Sequence, residues 1–162
     1  MVTDWYESNA TSVVPQYEAI DAATLHAWLR DLLPNAPAVI LDIGAGSGRD
    51  AAWLASLGYE VVAAEPSAAM RTEAVRLHPS PRIRWTDDAL PDLYDAVRSG
   101  LSFDAVLVSA VWQHVHPSQR ARAFRKMASV LRPTPFRVLG RSHFSSRDCI
   151  DERERDHLDL CP

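Results

Sequence analysis

The chain has 162 residues, 47% hydrophobic and 23% charged, with a net charge of −4. This is an ordinary globular composition with enough chain for one core. No apolar run reaches the ~18 residues of a membrane span. The segment Met1 to Glu7 holds Asp4 and Glu7 and no basic residue, so it does not read as a secretory signal, and the acidic balance argues against a nucleic-acid surface. A cytoplasmic location is the default expectation. Cys149 and Cys161 both lie near the C-terminus without ligand spacing around them, which supports neither a metal site nor a disulfide framework.

Residues 1–20 mix aromatic and polar types, including Trp5, Tyr6 and Tyr17. From Asp21 to Leu33 the pattern is helical, with Leu25, Trp28, Leu29 and Leu32 on one face, Asp21 as N-cap and Pro34 as the stop. Ala38–Ile43 predicts a first strand. A helix is predicted from Gly48 to Leu57, stopped by Gly58. Tyr59–Ala64 predicts a second strand, after which Ser67 caps a helix running to Leu77. Arg82–Trp85 predicts a short third strand, followed by Asp87-Asp88 and a helix over about 91–98. Phe103–Ser109 predicts a fourth strand, its apolar run Ala105 to Val108 suiting burial on both faces. Pro117 opens a helix to about Leu131, with His116 at its start, and Phe136–Leu139 is a candidate fifth strand. Trp28, Trp53 and Trp85 are expected in the core.

Strands alternating with helices imply βαβ units, a parallel sheet and right-handed crossovers. Ligands in such sheets bind beyond the carboxyl ends of the strands, near the switch point. The glycine-rich segment Asp42-Ile43-Gly44-Ala45-Gly46-Ser47-Gly48, then Glu65, Asp87-Asp88 and Ser109-Ala110, all fall at predicted strand ends and converge on one crevice. A dinucleotide fingerprint needs Gly-x-Gly-x-x-Gly, and Arg49 stands where the third glycine would be. This disfavours a nucleotide-dependent oxidoreductase. The Gly-Lys-Ser/Thr of a phosphate-binding P-loop is also absent.

What remains is Asp-x-Gly-x-Gly-x-Gly, together with Glu65-Pro66-Ser67 and Met70, Asp87 through Pro91, Phe103-Asp104 through Val115, and Leu131-Arg132-Pro133. Over about residues 15–132 this set resembles the class I S-adenosylmethionine-dependent methyltransferases. The resemblance implies a three-layer Rossmann-like α/β sheet with helices on both faces, and S-adenosyl-L-methionine as cofactor. It implies that Asp42, Gly44, Ala45, Gly46 and Gly48 serve the methionine end, and that Glu65 and Pro66 serve the ribose. Asp87 or Asp88 would accept from the adenine amine, and Ser109 and Ala110 would line the methionine side. His114 is the candidate general base, or else a wall residue. Trp5, Tyr6 and Tyr17 form either an aromatic lid, as N-terminal segments do in similar proteins, or an arm packed on the sheet. The expected acceptor is a small molecule, with neither nucleic acid nor membrane as partner.

The family pattern stops after Pro133, where Thr134-Pro135 replaces the usual Gly-Gly turn. The expectation is a single cofactor-binding domain over 1–140, with 1–35 as N-terminal arm and helix. The last two strands of the family's sheet are expected to be missing. The mixed-charge segment 141–162 is expected to be a solvated helix or a disordered end. A frameshift near codon 133 or a natural short form would each account for it. The leading functional expectation is a methyltransferase; the alternative is a truncated cofactor-binding protein without activity.

Overall fold

The computed structural model describes residues 2–133 and 138–141. Five strands, β1 (Val39–Ile43), β2 (Glu60–Ala64), β3 (Ile83–Thr86), β4 (Ala105–Ser109) and β5 (Val138–Arg141), form one parallel sheet in the order β3-β2-β1-β4-β5. Six α-helices are described: α1 (Val2–Glu18), α2 (Ala22–Leu25), α3 (Arg49–Ser56), α4 (Ala68–Leu77), α5 (Tyr94–Arg98) and α6 (Pro117–Val130). The predicted α/β architecture is therefore the observed one. The chain steps outward from β1 to β3, then returns to β4 on the other side of β1. The switch point lies between β1 and β4, and the loops following these two strands open the crevice.

The period of two in the central strands divides the core into two layers. Ile40 packs with Leu54, Val61 and Leu107 on the face covered by α3 and Leu29. Its neighbours Leu41 and Ile43 pack with Val62, Val106, Phe103, Met127 and Val130 on the face covered by α5 and α6. Apolar runs buried on both faces are what parallel strands flanked by crossover helices require. Phe103 is fully buried, and its backbone is held on both sides: its N–H donates to the Val130 carbonyl, and its carbonyl accepts from Arg132 N–H, each at 2.9 Å.

Three expectations need correction. The arm over 1–20 is mostly helix, and it packs on α4 rather than on the sheet. Tyr6, Ala10, Val13, Val14 and Tyr17 share one face and meet Ala69 and Met70 there. The predicted helix Asp21–Leu33 breaks after one turn. Asp21 does cap α2, accepting from Thr24 N–H at 2.8 Å, but His26 then leaves helical geometry and a 3₁₀ turn follows at Ala27–Leu29. The break buries His26 against Asp50 and leaves Trp28 38% exposed instead of in the core. Trp53 and Trp85 do pack against the core, half-buried.

The expected fifth strand, Phe136–Leu139, is observed as Val138–Arg141, its first residues lying outside the described part. The expectations for a charged tail and a frameshift fall on residues outside the described part. Among the described residues, no helix is long and apolar enough to cross a membrane.

Phe103→Ala should cost about 3–5 kcal/mol of unfolding free energy, because it opens a cavity in the core layer under α5 and α6. Tyr94→Ala, at a side chain 63% exposed, should stay within about 0.5 kcal/mol. Urea denaturation of the two variants against wild type measures both.

Candidate functional site

The loop Gly44–Gly48 leaves β1 with positive φ at all three glycines, +68°, +56° and +84°. The three glycines meet different constraints. A Cβ on Gly44 would collide with a methyl of Val111, and one on Gly48 would lie 3.1 Å from Ala74 and from the Trp85 ring. Around Gly46 nothing comes nearer than 3.8 Å, so only its φ and the open space beside it call for glycine. Gly44 and Ala45 N–H both donate to the Ala64 carbonyl, at 2.7 and 3.1 Å, which ties the loop to the end of β2.

Glu65 is the first residue beyond β2 and is 6% exposed. Its Oε2 accepts from Gly46 N–H at 3.0 Å and its Oε1 from Ser67 N–H at 2.8 Å. Burial pushes its carboxyl above the ordinary range, against the pull of these two bonds. Pro66 sits half-buried between the carboxylate residue and Ser67. The Glu65 carbonyl accepts from Arg71, whose other nitrogen lies 3.4 Å from Asp87 Oδ2.

The two aspartates after β3 separate. Asp87 is exposed, with Arg71 beside it. Asp88 is buried, and its oxygens accept from Ala89 N–H at 3.0 Å and Ala96 N–H at 2.9 Å. Asp88 therefore organises the turn into α5.

Asp42, inside β1, is 1% exposed, and its Oδ2 has no partner among the described residues. Burial first, and then repulsion from Asp50, pushes its carboxyl well above the usual range, with Arg49 opposing. Asp50 goes the other way. Burial would raise it, but His26 Nε2 at 2.8 Å from Oδ2 and Arg49 Nε at 2.8 Å from Oδ1 outweigh that and hold it ionised. The His26 ring also stacks on Trp53, with centroids 5.3 Å apart.

After β4, Ser109 is half-buried and Ala110 has a φ of +54°. A left-handed non-glycine residue stores roughly 1–2 kcal/mol. The Gln113 amide holds the turn by donating to the Ala110 carbonyl at 2.6 Å, and the turn presses Val111 onto Gly44. His114 is exposed, its ring edge-on to Tyr6 with centroids 6.4 Å apart. His116 begins α6 as expected, its Nδ1 accepting from Ser118 N–H.

The family described as "Methyltransferase domain" matches residues 40–134, the span that carries the glycine loop, Glu65, Asp87 and the turn after β4. The chain belongs to the class I S-adenosylmethionine-dependent methyltransferase family. An uncharacterized methyltransferase of Mycobacterium tuberculosis is 38% identical over 130 residues, 79% of this chain and 45% of the relative. The chain thus spans less than half the length of that relative. An uncharacterized methyltransferase of Oceanobacillus iheyensis is 24% identical over 160 residues, 97% of this chain and 70% of the relative. Among solved structures, an S-adenosylmethionine-dependent methyltransferase from Mesorhizobium loti is 27% identical with a TM-score of 0.58, covering 71% of this chain and 51% of that one. The DhpI–SAH complex shares the fold, with a TM-score of 0.63 at 22% identity over 83% of this chain and 65% of that one.

Sequence reasoning missed several residues around this crevice. Glu7 of α1 accepts from the Ser67 hydroxyl at 2.6 Å and from Ala69 N–H at 3.2 Å. Arg71 spans Glu65 and Asp87, and Val111 closes on Gly44. The helical spacing of Tyr6, Ala10, Val13, Val14 and Tyr17 was the available signal for α1. Val111 lies within the segment Phe103–Val115 that carries the family resemblance, but nothing in the sequence marked its contact with Gly44.

Asp42 has a consequence for stability. A carboxyl whose folded pKa exceeds its unfolded value binds more protons when folded, so its contribution to stability falls as pH rises from 3.8 toward the folded value. Asp42→Asn should therefore raise the unfolding free energy at pH 7, and the gain should vanish below pH 3.8. Denaturant titrations of the two proteins across that range measure the difference.

Proposed function

We propose that the crevice binds S-adenosylmethionine and that the domain transfers its methyl group to a small-molecule acceptor. The observation that carries this reading is the buried Glu65 carboxylate joined to Gly46 N–H. It is an acceptor for paired hydroxyls, set against a glycine loop that has no phosphate-binding lysine. The relationship to the methyltransferase family supports it, as does the SAH complex of the similarly folded DhpI.

The residues fit such a cofactor. The unpartnered Oδ2 of Asp42 suits an ammonium, with carbonyls of the Gly44–Gly48 loop nearby. Each oxygen of Glu65 keeps a lone pair for a ribose hydroxyl. Asp87, exposed beside Arg71, is the more accessible of the two aspartates for an exocyclic amine. The acidic residues Glu65 and Asp87 would repel a pyrophosphate, which argues against a dinucleotide. Ser109 and Ala110 line the methionine side.

The cofactor supplies an activated methyl group on a sulfonium. The chain supplies alignment and the exclusion of water, which is where most of the acceleration of such a displacement arises. His114, beyond β4 and against Tyr6, is positioned to take a proton from the acceptor as it is methylated. Tyr6 and Tyr17, whose hydroxyls lie 3.2 Å apart, form the aromatic cover over the crevice.

Calorimetric titration with S-adenosylhomocysteine should give a binding isotherm, and NAD should give none; no heat with S-adenosylhomocysteine would remove the cofactor reading. Glu65→Ala should weaken S-adenosylhomocysteine by about 1.5–3 kcal/mol through loss of a charged acceptor. His114→Ala should leave that affinity unchanged and lower turnover with a competent acceptor by about 10²-fold. Binding without turnover across an acceptor panel would instead favour a silent cofactor-binding domain.

A further inference from the structure

The helix α1 runs alongside α4 in the same direction. Glu7 meets Ser67 and Ala69 at the start of α4, and Glu18 lies 3.0 Å from His78 at its end. Its apolar contact is small: Ala10, Val13, Val14 and Met70 are the buried members. Small apolar burial marks an element that opens locally before the rest of the fold. Yet α1 covers the crevice. Tyr17 comes within 3.9 Å of where a Cβ on Gly46 would stand, and Tyr6 lies against His114.

Besides Glu18–His78, two of the polar contacts that hold α1 come from the cofactor-site elements themselves. The fully buried Ser67 donates its N–H to Glu65 and its hydroxyl to Glu7, so one residue joins the site carboxylate to the covering helix. At the other end, Arg49 Nη1 donates to the Tyr17 carbonyl at 3.1 Å while its Nε is held by Asp50. Arg49 directly follows Gly48, at the position where a dinucleotide loop would have its third glycine. Here it reaches away from the loop, and a cation beside a carbonyl in the last turn of a helix also suits the helix dipole.

We propose that Glu7 and Arg49 are positioning residues that clamp α1 over the crevice, so that release of the spent cofactor requires these two contacts to open. The proposal rests on the cofactor reading above. Loading the crevice and holding the cover are then linked through Ser67 at one end of α1 and through the loop-to-α3 junction at the other. Ligand exchange is set by the opening of α1 and not by the contacts of the ligand alone.

The test is the dissociation rate of S-adenosylhomocysteine, followed by stopped-flow tryptophan fluorescence, with Trp5 on α1 as an exposed reporter. Glu7→Ala and Arg49→Lys should each raise the rate about tenfold, the loss expected for a charge-assisted hydrogen bond. Glu60→Ala, whose side chain pairs with exposed Arg82 away from the crevice, should leave it unchanged. Because both clamps hold one helix, the double variant should fall short of the product of the single effects.

Hydrogen exchange of the α1 amides in the ligand-free protein provides a second readout that needs no cofactor. Glu7→Ala should speed that exchange while leaving β1 and β4 protected. Unchanged release rates with unchanged α1 exchange would overturn the proposal, as would exchange speeded equally throughout the sheet. If wild type fails to bind S-adenosylhomocysteine, the cofactor reading falls, and α1 exchange alone then decides whether the clamp exists.

Discussion

The site is organised around a carboxylate that is removed from water and answered by two backbone N–H groups. Glu65 bonds Gly46 in the loop after β1 and Ser67 at the start of α4. A buried carboxylate without donors would be costly or would protonate, so the position is tenable only while both donors stay in place. This requirement runs in both directions. The loop must hold positive φ at Gly46 to present its N–H, and the chain after Pro66 must turn so that Ser67 can donate. Through Ser67 the same constraint reaches Glu7, and through the Glu65 carbonyl it reaches Arg71 and Asp87. The loop, the start of α4, the end of β3 and the helix α1 are thereby positioned relative to one another.

Behind this carboxylate lies a second electrostatic arrangement. Asp42 and Asp50 are both buried and repel each other, and the fold resolves this by treating them differently. Asp50 receives His26 and Arg49 and stays ionised; Asp42 receives no partner on Oδ2 and is driven toward the protonated form. The break in the predicted helix over 21–33 belongs to the same arrangement, because a continuous helix would not bring His26 to Asp50 in this way. A departure from helical periodicity thus coincides with the local charge balance. The Asp42 oxygen left without a partner among the described residues lies at the end of β1, next to the glycine loop.

The legible parts of the chain were those in which one physical signal dominates. The strands were read to within a residue or two at most ends because unbroken apolar runs bounded by Gly, Pro and Asp leave few alternatives. Ser67 and Asp21 were read as helix starts because a side-chain acceptor before a polar-apolar period has a local mechanism, and His116 because Pro117 follows it. The glycine loop and Glu65 were legible because their spacing from strand ends is itself the signal. Tertiary competition was not legible. Asp87 and Asp88 are adjacent and chemically identical, and only the fold, which gives Asp88 the N–H groups of Ala89 and Ala96, assigns one to the interior and the other to solvent. Trp28 sits on the predicted apolar face yet is exposed, because the chain leaves the helix two residues earlier. For α1, Pro15 and the mixed polar composition masked a period that Tyr6, Ala10, Val13, Val14 and Tyr17 do carry.

The strained turn after β4 completes the argument from the other side of the crevice. Ala110 is held at positive φ, a position a glycine would occupy without strain, and the Gln113 amide secures it. The strain has a visible structural return, since that turn carries Val111 into the space left by the missing Cβ of Gly44. A glycine at 110 would relieve the strain but would widen the range of conformations open to the turn, and with it the placement of Val111. An alanine at 44 would close the space altogether. The two central strands therefore end in loops that fit each other only with these residue types at these positions. The walls of the crevice are set by loop-to-loop packing, while α1 is held through its apolar face on α4 and through the contacts of Glu7 and Tyr17. Such a cleft beside a separately packed helix would suit the proposed methyl transfer, whose principal demands are alignment of the reactants and exclusion of water.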